Sequence, residues 1–528
     1  MTNSGTPDSK PNLAQHRATW QASVRPGVVA QMRALPAKAT VDVCVIGAGM
    51  AGLLCALELC ERGRSVVVLE RERVGAGDTS ATTAHLTAVL DRRYYELADM
   101  HGDDSTWRIA KSHLSGIAHL ERVINRYAIE CDFERLSGFL CANDATQERA
   151  LQREHDLASA AGLRCELVRQ APLAVSAGPA LHVPNQAQFN PLAFLTGVAR
   201  VLTERGVPIY APATAIQVGS SSAASQLTVD TNGGSIVASQ VLVTTGTPTS
   251  GSSSIHTKQA AYRSYAMAVA IPEFVRALAW DMEDPYHYVR CALDAVTQRP
   301  VLIVGGEDHR VGQEADTELR FSRLEGWLRE RFSAAGGIVS QWSGEVFEPN
   351  DGLAYIGRDA SDDRVFLATG FSGNGMTYSS ISAELLADLM QETNNPFADL
   401  YDPKRKPRSA AALGRFAKEN LNTAGQYADW IRPADVSNPE QIPRGEGAVL
   451  RRGLRRIAVY VDEQGSRCEL SATCPHLGGV VSWNSAEKSW DCPCHGSRFD
   501  RYGNLLTGPA VSNLQSLHAS AEAKSPSK

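Results

Sequence analysis

The pattern Cys474-Pro-His476, fifteen residues, then Cys492-Pro-Cys-His495 constrains this chain more than any other feature. A mononuclear zinc site can use two Cys and two His. Here, however, each half of the pattern mixes one thiolate with one imidazole. That division suits two irons of different ligation, two Cys on one and two His on the other, as in one class of [2Fe–2S] centre. The two halves must then meet as loops around the cluster, each giving one ligand to each iron. Gly478 and Gly479 in one loop and Gly496 in the other suit tight turns whose N–H groups point at sulfide. Such a cluster carries one electron at a time, so the rest of the chain must say where the electron comes from.

The chain has 528 residues, enough for about two to four domains. It is 43% hydrophobic and 21% charged with a net charge of −6, ordinary values for a globular protein with sizeable cores. Without a long basic run, nucleic acid is not an expected partner. The first residues lack an apolar signal core, and no stretch approaches the length of apolar sequence that spans a bilayer. Eleven cysteines are scattered, and only Cys474, Cys492 and Cys494 cluster. That is not the pattern of a secreted disulfide framework, so cytoplasmic residence is expected.

A second motif opens at Val41. Val41–Ile46 is an apolar, strand-like run, followed at once by Gly47-Ala-Gly49-Met-Ala-Gly52, a helical stretch, a second apolar run Ser65–Leu69, and Glu70. Gly47 allows a tight turn, Gly49 lets the backbone approach a pyrophosphate, and Gly52 lets helix and strand pack closely. The helix N-terminus favours the phosphate charge, and Glu70 is placed to accept from ribose hydroxyls. Strand, glycine turn, helix, strand and acid together predict dinucleotide binding.

Arg73–Thr87, rich in Gly, Ser and Thr, resembles the second flavin-contacting segment of the D-amino-acid-oxidase-like family, which includes glycine and sarcosine oxidases. The resemblance implies FAD, with Thr82 and Thr83 contacting it and His85 facing the flavin as a candidate for covalent attachment. It also implies a backbone contact from Ala215 to adenine. Further on, Val365–Thr377 reads as a strand, a glycine-rich turn and a helix. In the family this turn abuts the polar end of the flavin ring, which makes Gly370, Gly373, Asn374, Gly375, Met376 and Thr377 cofactor-binding candidates. The helix N-terminus there would favour an electron-rich ring. The cluster pattern and the trailing Gly503–Ala510 are similar to the Rieske family. Residues of about 40–515 resemble a bacterial family in which a D-amino-acid-oxidase-like domain is fused to a C-terminal Rieske domain.

The expected organisation is an N-terminal tail over 1–38, partly loose; an FAD-dependent oxidoreductase domain over 39–400; a linker with a helix over 401–432; a Rieske domain over 433–518; and a tail over 519–528. The expected fold class is an α/β Rossmann-like FAD domain with an inserted α+β substrate domain, plus a small all-β Rieske domain. Substrate-domain portions fall at about 91–190, read as helical, and about 250–350, read as sheet. In the second portion Arg263, Tyr288, Arg290 and His309 are candidates for substrate contact, since arginine pairs bidentately with a carboxylate. A catalytic residue does not stand out. Hydride transfer from an amine to flavin needs mainly positioning.

One FAD and one Rieske [2Fe–2S] cluster imply electron flow from a small-molecule amine or amino acid, through both cofactors, to an external one-electron acceptor. A second glycine-rich nucleotide motif is missing, which argues against a nicotinamide-dependent reductase. Two alternatives stay open: oxidation of another small molecule such as a hydroxy acid, and an electron-transfer or redox-sensing protein with no substrate of its own. High-potential members of the Rieske family carry a second Cys in each loop. Here Cys494 stands at one such position but Gly479 at the other, and Phe499 replaces a tyrosine donor. Ser497 keeps the hydroxyl position. Fewer donors to the cluster imply a potential in the lower part of the Rieske range.

Overall fold

The computed structural model describes residues 18–22, 34–221, 225–249, 253–314, 316–407 and 409–517. The rest of the expected N-terminal tail and the tail over 519–528 lie outside the described residues.

The first apolar run forms the strand Lys38–Ile46, whose last residues are fully buried. It pairs in parallel with Val66–Leu69 on one side and Ser235–Val243 on the other. Strands buried on both faces read as continuous Val/Ile/Leu runs, which is why these were visible in the sequence. The sheet continues through Val365–Thr369 to an antiparallel edge at Tyr355–Arg358, and through Ile209–Tyr210 at the other end. Helices Met50–Glu61 and Gly375–Met390 pack against each other. Each starts at a glycine-rich turn, and the two turns face one cavity.

The second sheet has nine described strands. Gln259–Ala270 pairs antiparallel with both Pro300–Arg310 and Ile338–Pro349. Two of its strands, Glu134–Cys141 and Ala180–Gln188, come from the portion read as helical. That portion does hold helices, at Tyr94–His101, Asp103–Tyr127 and Ala145–Ala160. Glu134–Cys141 mixes charged, small and apolar residues, so its strand state comes from pairing with Ala277–Asp281 and Ala180–Gln188; local propensity yields to tertiary pairing.

The last unit holds a three-stranded sheet, Glu446–Arg452, Arg455–Val461 and Arg467–Ser471, and a four-stranded one from Ser482 to Thr507. Trp490 and Phe499, both fully buried, anchor its core. The first Cys/His loop follows Ser471, and the second joins strands Ser489–Asp491 and Arg498–Asp500. The connector is more than a spacer. After helix Ala410–Gln426, Tyr427 Oη donates to the Leu477 carbonyl and Trp430 Nε1 to the Gly478 carbonyl, each at 3.0 Å.

Part of the expected loose tail is built into the protein. Trp20 is buried and donates from Nε1 to the Ser80 carbonyl at 3.2 Å. Its ring meets Trp342 edge-on and carries the Arg290 guanidinium at 5.3 Å. A large aromatic buries enough surface to order a short segment whatever its polar neighbours prefer.

Candidate active site and cluster site

One cavity of about 540 Å³ runs between the two sheets. At one end lie Gly47 and Gly49. Gly47 takes φ +108°, a conformation only glycine adopts easily. A methyl group on Gly52 would sit 1.9 Å from the Gly47 carbonyl oxygen, so this glycine closes the turn by packing and does not line the cavity. Glu70 accepts from the Ala48 and Glu72 N–H groups, both at 2.9 Å. Burial pushes its carboxyl up, with those two N–H groups working the other way. Ala215 lines this end, joined by Leu505, Leu506 and Thr507 of the cluster unit. The cluster unit is therefore part of the cavity wall.

Thr82, Thr83 and His85 line the opposite end. His85 Nδ1 meets Thr83 Oγ1 at 3.1 Å, and burial, helped by Arg290, pushes its pKa down to about 3. Gly373, Asn374, Gly375 and Met376 also line it, whereas Gly370 and Thr377 lie behind the wall. Thr377 bonds across to Thr87, and Gly370 turns at φ +71° against Pro349. The Gly373 N–H is already taken: it donates to Asp91 Oδ2 at 2.5 Å, with Ser372 Oγ on the same oxygen at 2.8 Å.

Of the four substrate-contact candidates, Tyr288 lines the cavity with its ring and bonds the Ser264 hydroxyl at 3.0 Å. Arg263 also lines it, but its guanidinium is held by Glu487 at 2.5 Å and by Ser343. Arg290 is buried away from the cavity and donates to the Ala84 and Phe189 carbonyls. His309 bonds Tyr265 Oη and the Arg310 carbonyl, also off the cavity. Neither arginine is free to receive a carboxylate. An exposed strand arginine and a buried, carbonyl-bound one look the same in sequence.

The four Cys and His side chains converge. The His476 and His495 rings lie 5.0 Å apart and nearly perpendicular. A methyl group on Gly479 would sit 3.1 Å from Cys492 Sγ and 2.6 Å from Cys494 Sγ. Cys474 and Cys492 are both buried, and His476 Nδ1 is buried with no partner. Two buried thiols beside an orphaned imidazole nitrogen fit a two-iron cluster with mixed ligation. Cys494 is a free thiol. Ser497 Oγ accepts from the Ala510 N–H at 3.0 Å.

Several residues near the two sites carry no sequence motif. Glu345 and Phe347 line the cavity and also press on Gly496, next to His495. A methyl group on Gly496 would lie 2.5 Å from Glu345 Oε1 and 3.5 Å from Phe347 Cε1. On another side, the His256 ring lies 4.8 Å from that of His476, and its Nδ1 meets Thr247 Oγ1 at 3.4 Å. Thr247 directly follows the cavity-lining Thr245 and Gly246. These contacts arise from sheet register and from docking of the cluster unit, which a local pattern does not encode.

The comparisons agree with this architecture. The model of the FAD dependent oxidoreductase family matches residues 42–389, and that of the Rieske [2Fe-2S] domain matches 432–518. A Rieske 2Fe-2S iron-sulfur protein of Bacillus subtilis is 27% identical over 480 residues, covering 90% of this chain and 93% of its own. Glycine oxidase from Geobacillus kaustophilus superposes with a TM-score of 0.58 at 18% identity, covering 70% of this chain and 99% of that one. L-amino acid deaminase from Proteus vulgaris, with its specific insertion deleted, gives 0.58 at 20% identity, over 74% of this chain and 98% of that one. Among the described residues no helix is long and apolar enough to cross a membrane. With FAD and a [2Fe–2S] cluster as its cofactors, the chain belongs to the FAD-dependent oxidoreductase family and carries a C-terminal Rieske domain.

Proposed function

We propose that this protein oxidises the C–N bond of an amine or amino acid and passes the electrons through the Rieske centre to an external one-electron acceptor. FAD supplies a two-electron acceptor, and the cluster supplies a one-electron carrier. Gly47, Gly49 and Glu70 would hold the adenosine and pyrophosphate, with Thr82, Thr83 and the Gly373–Met376 turn at the ring end. Cys474 and Cys492 would hold one iron, His476 and His495 the other. The residues at the ring end would position the substrate carbon and exclude water. The substrate loses a hydride and a proton to become an imine, which water converts to a carbonyl compound and a released amine.

The observation that carries this reading is the shared wall. Phe347 and Glu345 line the cavity and pack on Gly496, one residue from His495. The cavity wall thus reaches the neighbour of a cluster ligand, which supports a route for electrons from one site to the other.

The test is anaerobic mixing of the holoenzyme with amines, amino acids and hydroxy acids, following flavin absorbance and then cluster reduction. Bleaching by an amine or amino acid, followed by cluster reduction, is expected. Bleaching by hydroxy acids alone would select the alternative substrate class. Turnover with O₂ that is unchanged in Cys474→Ser would overturn the relay.

A further inference from the structure

The nucleotide end of the cavity is built from both domains. Glu70, Arg71 and Ala215 line it from the FAD domain. The segment from Leu505 to Val511, all but Pro509, lines the cavity from the Rieske domain. Two contacts dock that segment against the FAD domain. The Arg71 guanidinium, one residue beyond Glu70, donates to the Leu506 carbonyl. A methyl group on Gly508 would lie 3.1 Å from Cγ2 of Thr249, which also lines the cavity.

The segment is held in shape by its own domain. Its strand Leu505–Thr507 pairs with Arg498–Asp500. The Leu505 N–H donates to Asn513 Oδ1 and the Ala510 N–H to Ser497 Oγ, both at 3.0 Å. It is a preformed wall and not a loop to be ordered when a ligand arrives, which keeps the entropic cost of binding low. Leu506 and Val511 are 39% and 37% exposed. Apolar side chains left open on a cavity wall are the surface against which a flat heterocycle packs. Glu70 and the backbone of the Gly47–Gly49 turn bring polar groups to the same end, so polar and apolar contacts there come from different domains.

We propose that Leu506 and Val511 of the Rieske domain cover the adenine of FAD, so that the cofactor is held by both domains and leaves only when the Rieske domain moves away. The cover does not depend on which substrate is oxidised, and its failure would leave the C–N-oxidising reading standing.

The test measures how fast the FAD pyrophosphate becomes open to a phosphodiesterase. The holoprotein is incubated with that enzyme, and free AMP is followed by chromatography. Cutting frees AMP whether or not the flavin is attached through His85. Leu506→Asp is expected to release AMP about tenfold faster than wild type, and Leu506→Ala about threefold faster. Leu454 belongs to the same domain, is 88% exposed and does not line the cavity. Leu454→Asp is therefore expected to match wild type. Iron content and the electron paramagnetic resonance signal of the reduced cluster are measured on each protein and are expected to be unchanged. Release at the wild-type rate in both Leu506 variants would overturn the cover. Equal acceleration by Leu454→Asp would also overturn it, since the effect would then come from charge on the domain and not from the cavity wall. Where Leu506→Asp fails to keep its cluster, Leu506→Ala decides by the same comparison.

Discussion

Glu487, in the turn after the strand Ser482–Asn484 of the Rieske domain, clasps Arg263 of the substrate sheet at 2.5 Å and Arg498 of its own domain at 2.6 Å. The two guanidiniums hold the Glu487 carboxyl down at about 2 against the effect of burial. The clasp joins a cavity-lining strand of one domain to the second cluster loop of the other. Removing one member of a buried pair strands its partner, at a cost of about 3 kcal/mol. Glu487→Ala is therefore expected to lower stability by about that amount and to slow electron passage from flavin to cluster. Denaturant unfolding and anaerobic stopped-flow absorbance measure the two effects. A loss well under about 1 kcal/mol would mean that water replaces the clasp.

Gly52→Ala tests the nucleotide turn. The added methyl group would lie 1.9 Å from the Gly47 carbonyl oxygen and 2.8 Å from Thr244 Oγ1. Backbone on one side and a strand end on the other leave it nowhere to go. The variant is expected to purify without FAD while its cluster still assembles, because the Rieske domain has its own core around Trp490 and Phe499. Flavin and iron contents of the purified protein check this.

These cases show why some of the molecule was legible in sequence and some was not. Gly47, Gly49, Gly52 and Glu70 act within one strand–turn–helix–strand unit, and the Cys474–His495 ligand set lies in two short loops. Chemistry confined to a local stretch leaves a local pattern. Tyr286, Glu345 and Phe347 line one cavity only because antiparallel strands fall into one register, and Glu487 reaches Arg263 only because two domains dock. Arg290 is a substrate-contact candidate by residue type, and its burial against the Ala84 and Phe189 carbonyls is a tertiary fact that no local pattern carries. The strand Glu134–Cys141 was hidden for the opposite reason, since its neighbours impose a conformation its own residues scarcely favour.

The cluster potential is expected in the lower part of a range of about −150 to +300 mV. Cys494 faces Gly479, so no disulfide links the two loops. Phe499 is fully buried where a tyrosine would bring a hydroxyl donor. Donors to sulfide stabilise the reduced cluster and raise its potential. Phe499→Tyr is expected to shift the potential upward by tens of mV. Protein-film voltammetry on both proteins decides it. A wild-type value near the top of the range would contradict the argument.

Glu154, on the helix Ala145–Ala160, gives a stability prediction far from either site. It is almost fully buried, and burial raises its carboxyl to about 7, with Arg93 and the Tyr94 and Tyr95 N–H groups opposing. In the unfolded chain the same group titrates near its ordinary value of about 4.3. Between those two values the folded state holds the proton and the unfolded state does not, so stability falls as pH rises through this window and levels off above about 7. Glutamine keeps the acceptor that the Tyr95 N–H uses at 3.3 Å and removes the titration. Glu154→Gln is thus expected to match wild type near pH 4 and to exceed it at pH 8 by up to about 3 kcal/mol. Other buried carboxyls slope the same way in both proteins, so the difference between two denaturant series across pH isolates Glu154. A difference that stays flat from pH 4 to pH 8 would show that Glu154 ionises normally in the folded protein.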